Sequence, residues 1–287
     1  MPELPEVETI RLGLSQELVG RDILAVEVRL AKLFRGDKGV LVGAKILDIT
    51  RRAKLLIWRL EKSWLLIHLK MTGQLIFVPN SKTNQLVIGG HPDIAYDQPP
   101  PHRHTHITIK FNHGTLYFND LRQFGWFKIL HSAEELKNEL AKYGPEYDWP
   151  EFNLTYWRSI LGSPLKTGRS RIKQVLLDQA LIAGIANIYS DEILFAAGVL
   201  PTRLAGELSQ QEAARLYRSI PKILNLALRY GGTSSSDYRQ LDGSRGAFLS
   251  LAKVYGRAGR PCKVCATTIE RVKVAGRSSC YCPTCQR

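Results

Sequence analysis

Cysteine is absent from the first 261 residues of this 287-residue chain, and all five copies fall after that point. A disulfide framework through the body of the protein is excluded, and thiols gathered at one end suggest metal binding first. No stretch approaches the roughly 18 consecutive apolar residues of a membrane span, so no membrane partner is expected. The N-terminus, Met1-Pro2-Glu3-Leu4-Pro5-Glu6, is acidic where a secretory leader is basic and then apolar. No leader is expected, and the chain reads as cytoplasmic. Negative charge is in short supply: 26 Asp and Glu face 40 Lys and Arg, a net +14. Such an excess repels itself unless a polyanion relieves it, which makes nucleic acid the leading partner.

Apolar residues, by contrast, are ample at 44%, enough for one large or two ordinary domains. Val7, Ile10, Leu14 and Leu18 recur at helical spacing behind Pro5, predicting a leading helix. Short apolar or alternating runs then predict strands at 44–49, 54–60, 64–69, 73–78, 106–111 and 115–118. Residues 79–104 have little periodicity and read as a long surface insertion. After about residue 131 the pattern turns helical, at 133–143, 172–177, 187–197 and 209–230. Ser209 and Glu212 form a plausible capping box for the last of these. The Gly231–Ser236 stretch ends that run as a loop. The fold class is α+β multidomain, with expected parts at 1–131 (mostly β domain), 132–150 (linker), 151–232 (helical), 233–252 (loop region) and 253–287 (cysteine hairpin).

Cys262-x-x-Cys265 and Cys282-x-x-Cys285 have the spacing of a four-thiolate zinc site. With every ligand position filled by protein, one structural Zn2+ is expected and no open catalytic position. The stretch between the pairs reads as a β-hairpin turning near Gly276, with a basic residue, Arg277, at the tip. Cys280 is left over as a packing residue. At the other end, removal of Met1 exposes the secondary amine of Pro2. An α-amino group titrates near 7.7–8.0 against roughly 10.4 for lysine, so a sizeable fraction is neutral near neutral pH. Such an amine forms Schiff bases, and Glu3 and Glu6 stand close enough in sequence to move protons. The same segment also reads as an ordinary helix start, its carboxylates complementing the dipole.

Taken in order, Pro2-Glu3-Leu4-Pro5-Glu6-Val7-Glu8-Thr9, Arg51-Arg52-Ala53-Lys54, His68 to Gly73, Asp120-Leu121-Arg122-Gln123-Phe124-Gly125, Gly184 to Tyr189, Val254-Tyr255-Gly256-Arg257 and the four cysteines closely resemble the bacterial formamidopyrimidine-DNA glycosylases. The resemblance covers essentially the whole chain. It implies an N-terminal β-sandwich with a leading helix, a helix–two-turn–helix domain, and a C-terminal four-Cys zinc hairpin, with DNA between the lobes. It further implies a monomeric, nucleoid-associated enzyme that excises oxidised purines from damaged double-stranded DNA and then cuts the strand.

By position, the resemblance makes Pro2 the nucleophile, Glu3 the proton-donating carboxylate and Glu6 a second carboxylate of the site. Lys54 takes the β-elimination and phosphate role, and Arg277 the δ-elimination role. Met71, Arg122 and Phe124 match the wedge that fills the gap left by an everted nucleotide. His104, Arg169 and Asn187 complete the DNA-contacting set, Asn187 at a helix start suited to phosphate. The alternation of His102, His104 and His106 reads as strand alternation rather than a metal site. Three positions depart from the family pattern: Ala186 for a frequent Gly, Gln123 for a frequent Arg, and the Ser234-Ser235-Ser236 loop for one that often carries a basic residue. Two rivals stand beside this reading. An endonuclease VIII-like enzyme for oxidised pyrimidines typically has Gly where this chain has Leu4, and a zinc-hairpin protein that only binds DNA needs no Pro2.

Overall fold

The computed structural model describes residues 2–80, 86–90 (backbone), 100–163, 167–233 and 247–287. The chain divides into two compact units. One is Met1–Ala141 with Tyr230–Ala247, the other Lys142–Arg229 with Phe248–Arg287. Met1, residues 81–85 and 91–99 of the expected insertion, and the Ser234-Ser235-Ser236 loop lie outside the described residues.

The first unit begins with α1 (Leu4–Leu18), whose buried face carries the predicted Val7, Ile10, Leu14 and Leu18. Ten strands follow: β1 (Ile23–Val28), β2 (Phe34–Arg35), β3 (Ile46–Arg52), β4 (Leu55–Leu60), β5 (Trp64–His68), β6 (Gly73–Pro79), β7 (Leu86–Gly90), β8 (Thr105–Phe111), β9 (Gly114–Asp120) and β10 (Trp126–Leu130). They form two five-stranded sheets, ordered β1-β8-β9-β6-β7 and β2-β10-β5-β4-β3. Leu75, Phe77, Ile109 and Phe118 of the first sheet share one core with Ile49, Trp58, Ile67 and Phe127 of the second. Two inward faces meeting in one apolar layer make a β-sandwich. The structure corrects the expected insertion, because β7 lies inside 79–104 and pairs antiparallel with β6. Its short run, Leu-Val-Ile-Gly-Gly, is too brief to show a period against its polar surroundings. Among the described residues the unit's last helix is α2 (Ala133–Leu140), capped by Ser132.

The second unit contains α3 (Leu154–Leu161), α4 (Ile172–Leu177), α5 (Asn187–Ala197), α6 (Gln210–Arg229), α7 (Phe248–Leu251) and the hairpin strands β11 (Glu270–Val274) and β12 (Arg277–Tyr281). The Ser209–Glu212 capping box forms as expected: Ser209 N–H donates to Glu212 Oε2 at 2.8 Å, and Glu212 N–H to Ser209 Oγ at 3.2 Å. Trp157, Val175, Tyr189, Leu194, Leu216 and Leu224 form its core. Between α4 and α5 the chain makes two turns, held by one side chain. Gln179 Nε2 donates to Leu177 O and Ile185 O at 3.0 and 2.8 Å, and its Oε1 accepts from Gly184 N–H at 2.9 Å. No helix among the described residues is long and apolar enough to cross a membrane.

Candidate active site and zinc centre

Pro2, Glu3 and Glu6 are buried together at the start of α1. Glu3 is the N-cap residue, and its N–H donates to Glu6 Oε2 at 2.8 Å, which closes a capping box. The other oxygen, Oε1, accepts from Thr233 N–H at 2.6 Å and Thr233 Oγ1 at 2.8 Å. Glu6 therefore reaches a residue 227 positions away as well as its own turn, and its acceptor capacity is largely committed to holding the N-terminal turn. Gly232 is required beside it. Its φ is 78°, and a Cβ there would meet Glu6 Oε1 at 2.7 Å.

Lys54 sits in the two-residue turn between β3 and β4, where Arg52 pairs with Leu55. Ala53 takes a left-handed φ of 54° there, and Lys54 is 8% exposed, so it is not a free surface lysine. The turn is tied down by contacts that the motif segments did not reveal. Arg51 Nη1 donates to Ala53 O at 2.9 Å, and Arg51 Nε pairs with Glu8 Oε2 at 2.9 Å. Arg11 Nη2 holds the other Glu8 oxygen at 2.7 Å. Burial works to raise the Glu8 pKa, but the hydrogen bonds and charges of Arg11 and Arg51 outweigh it and hold the carboxyl below its ordinary value.

Met71, Arg122 and Phe124 stand on two neighbouring loops, and Met71 and Phe124 are 38% and 53% exposed. The buried Asp120 braces both loops. Its Oδ1 accepts from Thr72 Oγ1 and, at 3.2 Å, from Arg122 N–H; its Oδ2 accepts from Gly125 N–H at 2.7 Å. Thr72 Oγ1 lies 3.0 Å from Arg122 N–H as well. The Arg122 guanidinium lies over the Phe124 ring at 4.9 Å, a cation–π pair that keeps both side chains projecting. The three predicted wedge residues are thus parts of one braced ridge. His104 is partly buried and accepts from Arg103 Nε at 2.7 Å, while His102 binds Asn119 and His106 binds the Asp120 carbonyl. No metal cluster includes these histidines among the described residues.

In the second unit, Arg169 is exposed on the turn before α4. Asn187 opens α5, with Ala186 rather than Asn187 at the cap position. The Asn187 Oδ1 is buried and has no hydrogen-bond partner among the described residues, so capping does not account for this side chain. Arg277 is exposed directly after the Ala275-Gly276 turn, in register with Val274. Behind it runs a buried polar network that the sequence pattern did not reveal. Lys173, fully buried, pairs with Asp191 Oδ1 at 2.6 Å and donates to Ser278 O at 3.0 Å. Asp191 also accepts from Ser279 Oγ at 2.5 Å and Cys280 N–H at 2.9 Å. Burial raises the Asp191 pKa despite the opposing pull of Lys173. The adjacent Glu192 accepts from the N–H groups of Lys253, Val254 and Tyr255 at 2.8–2.9 Å.

The sulfurs of Cys262, Cys265, Cys282 and Cys285 all lie within 4.8 Å of one another. Cys265 is 3.4 Å from Cys282 and from Cys285, and Cys262 is 4.0 Å from Cys285. Zn–S bonds of about 2.3 Å at tetrahedral angles put sulfurs about 3.8 Å apart, so the quartet fits the ion. Thr267 donates to Cys265 and brings that thiol down to about 6, whereas burial and the other three sulfurs push Cys285 up. A divalent cation resolves that conflict by taking all four as thiolates. Cys280 packs with Val254 and Ile269 beneath the hairpin, as expected.

Family models cover nearly the whole chain. Residues 1–127 match the formamidopyrimidine-DNA glycosylase N-terminal domain, 144–239 the H2TH domain of the same enzymes, and 259–287 the zinc finger found in FPG and IleRS. A formamidopyrimidine-DNA glycosylase of Desulfitobacterium hafniense is 39% identical over 293 residues, covering all of both chains. The chain belongs to the formamidopyrimidine-DNA glycosylase family. Among solved structures, a Lactococcus lactis family member bound to a Fapy-dG containing DNA superposes over the full length of both chains, with a TM-score of 0.87 at 33% identity. The wild-type Lactococcus lactis protein bound to an oxidised pyrimidine containing DNA gives 0.86 at 32%, again over both full lengths. The family's zinc finger coincides with the cysteine quartet, so the four thiolates are the site of one structural zinc ion.

Proposed function

We propose that the chain works through Pro2 as the nucleophile of a bifunctional DNA glycosylase. Membership of the family makes it an oxidised-purine DNA glycosylase of base excision repair, and AP lyase activity is typical of that family. The observation that carries the assignment of the nucleophile is the buried cluster at the start of α1, where Pro2 adjoins Glu3 and Glu6 is locked onto Thr233. The Pro2 amine attacks C1′ of the damaged nucleotide as the base departs, and the resulting Schiff base drives successive β- and δ-elimination. Glu3 handles protons at the sugar, and Glu6 fixes the turn that presents the amine. Lys54 serves β-elimination and phosphate contact, and Arg277 serves δ-elimination. The ridge of Met71, Arg122 and Phe124 fills the gap left by the everted nucleotide, which offsets lost stacking of a few kcal/mol. His104, Arg169 and Asn187 contact phosphates, Asn187 by donating from its amide Nδ2 at the start of α5. The zinc ion, when bound, supplies rigidity to the hairpin and no chemistry at the sugar. Action on DNA and the bacterial sources of the relatives support a location in the bacterial cytoplasm, on the nucleoid.

The oxidised-pyrimidine reading has one observation in its favour, the Lactococcus lactis complex with such a lesion. Against it, Leu4 is fully buried in this chain where the endonuclease VIII-type enzymes typically have Gly. One experiment addresses both points: borohydride trapping and single-turnover cleavage on 8-oxoguanine opposite cytosine and on thymine glycol. The wild type is expected to trap on the first and excise it much faster. Pro2→Gly is expected to lose trapping and excision while keeping DNA affinity within a modest factor. Normal cleavage by Pro2→Gly sinks the nucleophile assignment; faster excision of thymine glycol sinks the purine preference.

A further inference from the structure

A groove in the helical unit is used by none of the chemistry above. Arg158 of α3 and Gln210, Gln211, Ala214, Arg215 and Arg218 of α6 line an open depression of about 450 Å³. Three guanidinium groups border it and no carboxylate does. Arg215 is fixed in place, its Nε donating to Ala197 O at 3.0 Å at the end of α5. Arg158 and Arg218 have no ion pair among the described residues, although the chain carries 26 acids. The sole acid of α6, Glu212, is committed elsewhere: Oε1 takes Arg203 Nη1 at 3.2 Å and Oε2 takes Ser209 N–H at 2.8 Å. Gln210 and Gln211 form the first turn of α6, where the helix dipole adds further positive potential.

Arg158, Arg215 and Arg218 are exposed with no carboxylate lining the groove, which leaves a positive potential there that a bound anion neutralises. Each guanidinium matches two oxygens of one phosphate in a planar fork. Three such forks beside a helix N-terminus exceed what one carboxylate can satisfy, and an open groove admits a chain running through it. We propose that this groove binds consecutive phosphate groups, those of a second, lesion-free stretch of nucleic-acid backbone. It is a site apart from Asn187 and the zinc hairpin, neither of which lines it. A soluble polyphosphate carries the same chemistry and is the alternative source.

The test uses the full-length, zinc-loaded protein and the double variant Arg158→Gln/Arg218→Gln. Binding to a lesion-free duplex is measured against salt, and inorganic tripolyphosphate binding is measured by calorimetry. Single-turnover excision on a short lesion duplex serves as the control. Every phosphate that goes unneutralised in the variant lowers the slope of log K against log salt by roughly 0.9, so a drop of about 2 is expected, with excision unchanged. The charge-preserving Arg158→Lys/Arg218→Lys variant is expected to keep most of the slope. Tripolyphosphate binding that the double variant loses while the duplex slope stays constant assigns the groove to polyphosphate and overturns the nucleic-acid source. An unchanged slope together with unchanged tripolyphosphate binding overturns the proposal. Should the double variant not fold, the single variants Arg158→Gln and Arg218→Gln, each expected to lower the slope by about 1, decide it. Failure of wild-type excision counts against the enzyme reading and leaves the groove measurement standing.

Discussion

The N-terminal unit and the helical unit hold their candidate side chains by different means. In the sandwich, an extensive apolar core fixes the strands, and the candidate residues ride on tight turns at strand ends. Those turns are trimmed by single polar residues: Glu8 and Arg51 at the Lys54 turn, Asp120 at the Met71 and Arg122 loops, Glu6 at the N-terminus. In the helical unit the hairpin that carries Arg277 has only a small apolar cluster beneath it. Its position depends on four sulfurs and on the buried Lys173–Asp191 pair. Polar support at the sandwich turns adjusts a structure that the core already specifies. Under the hairpin, polar support stands in for a core.

That contrast is most open to test at the metal. Cys262→Ser is expected to lose stoichiometric zinc and DNA binding together, while the melting of the sandwich stays near wild type. Structural zinc contributes about 10–16 kcal/mol in isolated finger peptides, an upper bound here. Full DNA binding by a zinc-free variant would show that the apolar cluster suffices. Next in size, Asp191→Asn strands the buried Lys173 ammonium and is expected to cost about 3–5 kcal/mol in denaturant unfolding of the helical unit. Adding Lys173→Met is expected to restore much of that loss. A cost below about 1 kcal/mol for Asp191→Asn would mean that the pair is incidental.

The sandwich substitutions are expected to be milder. Asp120→Ala leaves the Gly125 N–H and the Thr72 hydroxyl short of an acceptor, at about 1–3 kcal/mol, and is expected to slow excision because the ridge loosens. Stability and rate both at wild-type level would show that the loops hold without the brace. Smallest is Glu8→Gln. The Glu8 pKa is depressed in the folded protein, so its stabilisation is present above the unfolded value near 4.3 and is lost as pH falls through the folded value. The variant is expected to cost less than about 1 kcal/mol at pH 7, and its difference from wild type is expected to shrink as pH drops below about 4. Urea midpoints at the two pH values measure this, and a gap that does not narrow means that the Arg11 and Arg51 contacts are not electrostatic.

Much of the fold was legible because its signals are local. The leading helix, the cysteine quartet, the hairpin turn and the Ser209–Glu212 box each lie within a few residues of sequence. The strands β1, β2, β7 and β10 and the helices α3 and α7 were not read. Leu86–Gly90 is too short to show a period, and α3 is eight residues long behind Trp149-Pro150. Asn153, which caps α3 through Tyr156 N–H at 2.9 Å, was the available signal. At the candidate site, Pro2, Glu3 and the wedge were reached through motifs. The contacts that support them were not, because Asp120 and Thr72, although both in motif segments, are 48 residues apart and Lys173 and Asp191 are 18 apart. A carboxylate in a strand or helix pattern carries no mark of the distant donor that the fold brings to it.

The bond from Glu6 to Thr233 also has a consequence in time. A chain leaves the ribosome N-terminus first, at roughly 5–20 residues per second. Pro2 and Glu6 therefore emerge long before Thr233 does. The first sheet strands can pair early, but the turn at the start of α1 gains its last two donors only when more than four-fifths of the chain exists. A contact of such high order is made late on kinetic grounds as well, because closing the loop costs entropy before the contact repays it. Completion of the proposed nucleophile's surroundings is thereby coupled to completion of the chain, and a fragment ending before residue 232 has Pro2 without the groups that hold Glu6 in place.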